Sequence, residues 1–235
     1  MIKRYSRKEL TDIWSEENKY KIWLDVEVAA AEAMEKLGQI PRGVASIVKK
    51  KARINVSRIH KIESEVKHDV IAFLTNLNEY VGDSGRYIHV GMTSSDVLDT
   101  GLSLQLKDSC ELLLEEIEKL ENEVRSLARQ HKNTLMIGRS HAIHGEPISF
   151  GFKLAGWLAE ILRDKKRLLI LKESISIGQI SGAMGTYANT NPEIEKITCD
   201  LLGLKPDTAS TQVISRDRHA EYVQWQVELL RIEQL

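Results

Sequence analysis

Three short segments hold most of the residues in this chain that can move a proton or bind an anion. They are Lys67-His68-Asp69, His89-Val90-Gly91-Met92-Thr93-Ser94-Ser95-Asp96 and Gly138-Arg139-Ser140-His141-Ala142-Ile143-His144-Gly145-Glu146-Pro147. Imidazole titrates near neutrality, at about pH 6.5, which makes histidine the natural donor to a departing atom. Five of the seven histidines (His68, His89, His131, His141, His144) lie in these segments, beside them, or at the end of the long helix described next. Each segment adjoins a predicted helix, where backbone N–H groups and side-chain hydroxyls are free to meet negative charge. Taken singly, each also has a structural reading. Thr93-Ser94-Ser95-Asp96 is as well suited to capping a helix as to binding an anion. A lone histidine is more often a structural hydrogen-bonder than a catalyst. His141 and His144 stand three residues apart with no third ligand at a telling spacing, so no metal is expected.

These segments need elements to hold them in place, and the pattern between them is helical. Apolar residues from Ile13 to Leu37 recur at helical spacing, and Gly38 with Pro41 closes a helix over 12–37. Further helices are predicted over 41–51, from a Ser57 cap onward, and over 69–81, where Gly82 stops the last of them. Residues 85–95 lack any helical period and read as a loop. Leu106, Cys110, Leu113, Ile117, Leu120, Val124, Leu127 and His131 then alternate spacings of four and three. That is a heptad seam, on a helix of roughly 30 residues whose other faces are charged. Such a stripe needs partner helices. Residues 134–146 read as a loop, and Pro147 is expected to open a second long helix. A Gly- and Ser-rich stretch follows over 174–191, then a short helix over 192–202 ended by Gly203. A last helix runs from near Arg218 with no stop signal before Leu235, which reads as a fragment of a longer protein.

Composition bounds the class. The 235 residues carry 33 Lys+Arg against 34 Asp+Glu, a net charge of −1, with 42% hydrophobic residues. Such a chain can bury a core. It lacks the basic excess of a nucleic-acid binder, so no nucleic-acid partner is expected. It has no apolar run long enough for a membrane span, and no secretory signal at MIKRYSRKEL. Cys110 and Cys199 make neither a disulfide framework nor a zinc set, and a cytoplasmic location is expected. Lys49-Lys50-Lys51 reads as a solvated helix end.

Taken together and in order, several motifs resemble the aspartase/fumarase superfamily, over the whole chain. They are Arg4-Tyr5, Lys67-His68-Asp69-Val70, the run from His89 to Thr100, Gly138-Arg139-Ser140-His141, Ser181-Gly182-Ala183-Met184-Gly185-Thr186, and Thr211-Gln212 with Arg216-Asp217-Arg218-His219. Within the superfamily the match is to the branch that cleaves adenylosuccinate. Two departures stand out. Ser140 replaces the usual threonine and keeps the hydroxyl. The family's signature loop, a serine pair followed by Met-Pro-x-Lys-x-Asn, is absent and would lie past Leu235.

The resemblance implies an all-α fold, with a small N-terminal helical domain over 1–96 and the first part of a long-helix bundle over 97–235. It implies four subunits sharing active sites. The reaction implied is a β-elimination of fumarate from adenylosuccinate or from succinyl-aminoimidazole carboxamide ribotide, with no cofactor. It makes His141 the general acid and His68 its assistant. Thr93, Ser94 and Gln212 map to donors for the carboxylate that gathers charge. Arg4, Tyr5 and His89 map to the phosphate end, and Lys67 and Asp69 to the nucleotide strip. Ser140 and Arg216 border the substrate, while Arg218 can pair with Asp217. The general base would be a serine on the absent loop, leaving this chain inactive alone. Two other readings remain: a sibling lyase or cycloisomerase with another substrate, and a non-catalytic helical scaffold.

Overall fold

The computed structural model describes residues 3–224. Helices dominate. In chain order they are α1 (Lys8–Ile13), α2 (Glu16–Lys36), α3 (Val44–Lys51), α4 (Val56–Val66), α5 (Asp69–Val81), α6 (Ser94–Gln130), α7 (Phe150–Ile175) and α8 (Pro192–Leu202). Short 3-10 turns cover Lys3–Tyr5, Gly82–Tyr87 and Arg216–His219. Strands β1 (Leu135–Ser140) and β2 (Ile143–Ser149) form an antiparallel hairpin, and β3 (Ile177–Gly178) pairs in parallel with β4 (Lys205–Pro206). The all-α expectation holds, with these two small sheets as additions.

The chain divides into two compact units, residues 1–109 with 174–219, and 110–173 with 220–235. The sequence division at 96/97 falls inside the first of these, because α6 begins there and leaves it only at Ser109.

The core of the first unit is built on α2. Ser15 caps it by accepting from the Asn18 N–H at 3.2 Å, and an alanine-rich run follows. Trp14 and Ser15 break the expected 12–37 helix into α1 and α2. The small face of α2 lets neighbours approach closely, and α8 and α3 pack on it. Phe73 of α5 lies at the centre, stacked on Tyr20 (5.9 Å) and edge-on to Trp23 (5.5 Å), with no exposure. Other predicted boundaries shift by a few residues. Helix α3 starts at Val44, not residue 41. Asn55, not Ser57, caps α4, its Oδ1 accepting from the Arg58 N–H at 3.0 Å. Helices α5 and α8 occupy the predicted residues.

In the second unit the seam of α6 is split. Cys110, Ile117 and Val124 are buried, as are Leu154, Ile161, Leu168 and Leu171 on α7. Leu120 and Leu127, the alternate seam positions, stay exposed. Glu121 holds Lys165 at 2.9 Å and Arg125 at 2.5 Å, and Lys172 meets Glu111 at 2.8 Å. The segment read as a loop over 134–146 is instead the hairpin, and Pro147 lies in β2 opposite Ile137 rather than at a helix start. Phe150 opens α7. The seam's last member, His131, lies just past α6, its Nδ1 3.1 Å from the Thr134 hydroxyl and its ring against Phe150.

The predicted final helix begins at Ala220 and is described to Gln224; its remainder lies outside the described residues.

Candidate active site

Two helix junctions and one hairpin turn carry most of the predicted residues. Lys67 ends α4 in the left-handed conformation (φ 56°), so the chain reverses abruptly into α5. His68 then caps α5, its Nδ1 3.4 Å from the Ile71 N–H, with the Asp69 carboxylate also at 3.4 Å. The other ring nitrogen of His68, Nε2, lies 3.4 Å from the Ser94 hydroxyl at the start of α6. With Nδ1 accepting from backbone, the tautomer that carries its proton on Nε2 is the one that can donate to Ser94.

The start of α6 is fastened by Asp96. Its buried carboxylate accepts the Thr93 N–H at 2.8 Å, the reciprocal half of a capping box. It also accepts N–H groups from Ser181 (3.1 Å) and Gly182 (3.2 Å) and the amide of Gln179 (3.3 Å). Burial raises the pKa of this carboxyl despite those donors. One turn on, Thr100 exchanges hydrogen bonds with the backbone of Gln179, both at 3.0 Å. Asp99 accepts from the Ile214 N–H at 2.9 Å and from both terminal nitrogens of Arg216 at 2.8 and 3.1 Å. Gln179 further donates to the Gln212 carbonyl at 2.7 Å. Positions 96, 99 and 100 share one helix face, which binds the 179–182 turn and the 212–216 segment to the Thr93-Ser94 turn.

Glycines permit the close approaches. A Cβ on Gly91 would come within 1.9 Å of the Asn189 carbonyl oxygen. One on Gly185 would meet the Ser210 and Thr211 carbonyls at 2.6 Å, and both glycines have positive φ.

His89 is held at two points by one carboxylate. The buried Glu27 of α2 accepts its backbone N–H at 3.0 Å and approaches Nδ1 at 2.6 Å. Burial alone would push the imidazole pKa down. The Glu27 hydrogen bond and charge, with a contribution from Asp96, outweigh it, and the pKa sits above its usual value.

Among the described residues, five non-glycine residues have positive φ: Lys67, His89, His141, Ala142 and Tyr187. Three are sequence-predicted site residues. Such backbone costs roughly 1–3 kcal/mol and persists where function or packing demands it.

The structure thus brings His68, Ser94 and Thr93 together, with Gln212 linked through Gln179. His89 stands within electrostatic range of Asp96. Arg4 lies over its neighbour Tyr5, 4.7 Å from the ring centre, and Tyr5 is exposed. Arg218 does not pair with Asp217 as expected. It reaches the buried Asp207 at 2.5 Å, where a desolvated carboxylate gives a stronger partner than an exposed neighbour. Ser140 and His141 belong to the second unit, where His141 and Ala142 form the two-residue turn of the β1–β2 hairpin, both exposed. Sequence reasoning missed Glu27, Gln179 and Asp99. The available signal for Glu27 was a carboxylate on the otherwise apolar face of α2, between Trp23 and Met34.

A family model described as Lyase matches residues 3–231. The chain belongs to that lyase family. Among relatives, the adenylosuccinate lyase of Synechocystis sp. is 61% identical over 224 residues, covering 95% of this chain and 52% of the relative. The adenylosuccinate lyase of Aquifex aeolicus is 49% identical, covering 94% of this chain and 51% of the relative. The lyase chain therefore spans about half the length of the curated relatives it matches. Among solved structures, a fumarate lyase from Mesorhizobium sp. BNC1 superposes with a TM-score of 0.86 at 27% identity, over 96% of this chain and 55% of that one.

Proposed function

We propose that this chain is the N-terminal part of an adenylosuccinate lyase, which eliminates fumarate from adenylosuccinate to give AMP and from succinyl-aminoimidazole carboxamide ribotide. The observation that carries the reading is that relatives bearing that name are 43–61% identical across about 95% of the chain. The residues supply the chemistry such a reaction needs. A trianionic substrate calls for donors, and the Thr93-Ser94 turn at the start of α6 presents hydroxyls and N–H groups to a carboxylate. Charge that builds on that carboxylate after proton removal is stabilised by donors already fixed in place, and Asp96 fixes this turn. Gln212 adds a donor. His141 protonates the departing nitrogen, with His68 assisting. Ser140 and Arg216 border the substrate, and Lys67 and Asp69 lie along the nucleotide. Arg4, Tyr5 and His89 meet the phosphate. The base is a serine on a segment outside this chain.

The working enzyme is a cytoplasmic homotetramer in this reading. The exposed seam residues Leu120 and Leu127 support it, since among the described residues they are only partly covered.

The test uses protein expressed from the complete reading frame. Fumarate should form with adenylosuccinate and not with argininosuccinate. No fumarate from adenylosuccinate overturns the proposal.

A further inference from the structure

We propose that Glu27 is a positioning residue for anion binding. Its carboxylate locks His89 at both the backbone N–H and Nδ1, so that Nε2 faces outward as a fixed donor to the phosphate of a nucleotide. The proposal rests on the nucleotide-lyase reading above.

The geometry is unusual for a merely structural pair. Glu27 sits on α2 at 1% exposure, among residues that form the core. A lone carboxylate there is costly unless paired. One carboxylate takes two donors from one residue, at 3.0 and 2.6 Å. The first ties down the backbone and the second holds the ring at Nδ1. His89 meanwhile has φ of 63°, a left-handed conformation uncommon among non-glycine residues although His, Asn and Asp are enriched in it. Plain core packing could use a simpler arrangement than a strained residue clamped to a buried charge. With Nδ1 engaged, Nε2 is the ring atom left to act, and the side chain retains 17% exposure. A carboxylate behind an imidazole favours the doubly protonated ring, so Nε2–H carries positive charge toward its ligand. The charged groups facing the ring among the described residues are Glu27 from α2 and Asp96 from α6, both acidic.

The experiment follows the His89 imidazole by NMR in the protein from its complete reading frame, with inorganic phosphate as probe, alongside steady-state kinetics. In the unsubstituted protein the His89 midpoint should lie above about 6.5 and rise further with phosphate. Glu27→Gln keeps the shape and loses the charge. It should lower that midpoint, weaken phosphate binding about tenfold, and raise KM about tenfold with kcat changed less than threefold. Glu27→Asp should recover part of the phosphate affinity. A purely structural role would lower the melting temperature and leave phosphate affinity and KM unchanged, and that result overturns the proposal. Should neither variant fold, a midpoint in the unsubstituted protein that phosphate does not move overturns it equally. Fumarate production without this phosphate linkage refutes the role of Glu27 alone. The linkage without fumarate production refutes the lyase reading alone.

Discussion

His89 and Asp96 hold protons differently because of what lies behind each. Asp96 is a buried acid whose four N–H donors soften, without cancelling, the cost of burial, and its pKa rises. His89 is also partly buried, and its carboxylate partner reverses the effect. The consequence for stability has a definite sign. A folded-state pKa above the unfolded value means the folded protein holds the proton more tightly. The stabilisation from His89 is therefore fully present below about pH 6.5 and is lost as pH rises through the folded midpoint. Urea midpoints measured from pH 6 to 9 should show the advantage of the unsubstituted protein over Glu27→Gln shrinking upward through that window. Asp96 and Glu195, also raised by burial, are common to both proteins and drop out of the difference. An advantage that grows with pH contradicts the assignment. At this scale the sequence singled out imidazoles and hydroxyls, because they crowd into a few turns. It did not reveal Glu27, whose partner is 62 residues away and whose neighbours in sequence are the core residues Val26 and Val28.

Elements were legible where local chemistry marks both ends. Helix α5 runs from Asp69 behind a His68 cap to Gly82, and α8 from Pro192 behind Asn191 to Gly203. The β1–β2 hairpin was not legible. Its two-residue turn is His141-Ala142, where the left-handed backbone usually selects Asn-Gly. Its second strand carries Pro147, a residue that in sequence marks a helix start or a loop. A turn built against local preference, with the proposed acid at its tip, is the kind of conflict that function sustains. The core elements follow ordinary packing, and a prediction belongs here. Phe73 contacts both aromatic rings of α2, so Phe73→Ala should cost about 3–5 kcal/mol of folding stability. Chemical denaturation checks this; a loss below about 1 kcal/mol would place the ring outside the core.

For the molecule as a whole, the described residues of the second unit leave several large apolar side chains exposed. Leu120 and Leu127 on α6 and Leu162, Leu169 and Ile170 on α7 are exposed, as is Ile143 at the hairpin. A two-stranded hairpin is marginal by itself, and an uncovered heptad face seeks other helices. Sedimentation of the protein from its complete reading frame should show a tetramer. Leu169→Glu should shift it toward smaller species with its helical signal intact. A monomer for the unsubstituted protein contradicts the shared-bundle account. The sequence pattern marked the seam, but could not say which of its positions are buried among the described residues. The catalytic claim also belongs to this scale, since it calls on residues that lie far apart in the sequence. It is tested most directly by the rate of fumarate release from adenylosuccinate by the protein from the complete reading frame, compared with His141→Gln and His144→Gln. The account predicts a fall of about 10²–10⁴-fold for His141→Gln, with far less effect at His144. Full turnover by His141→Gln would contradict it.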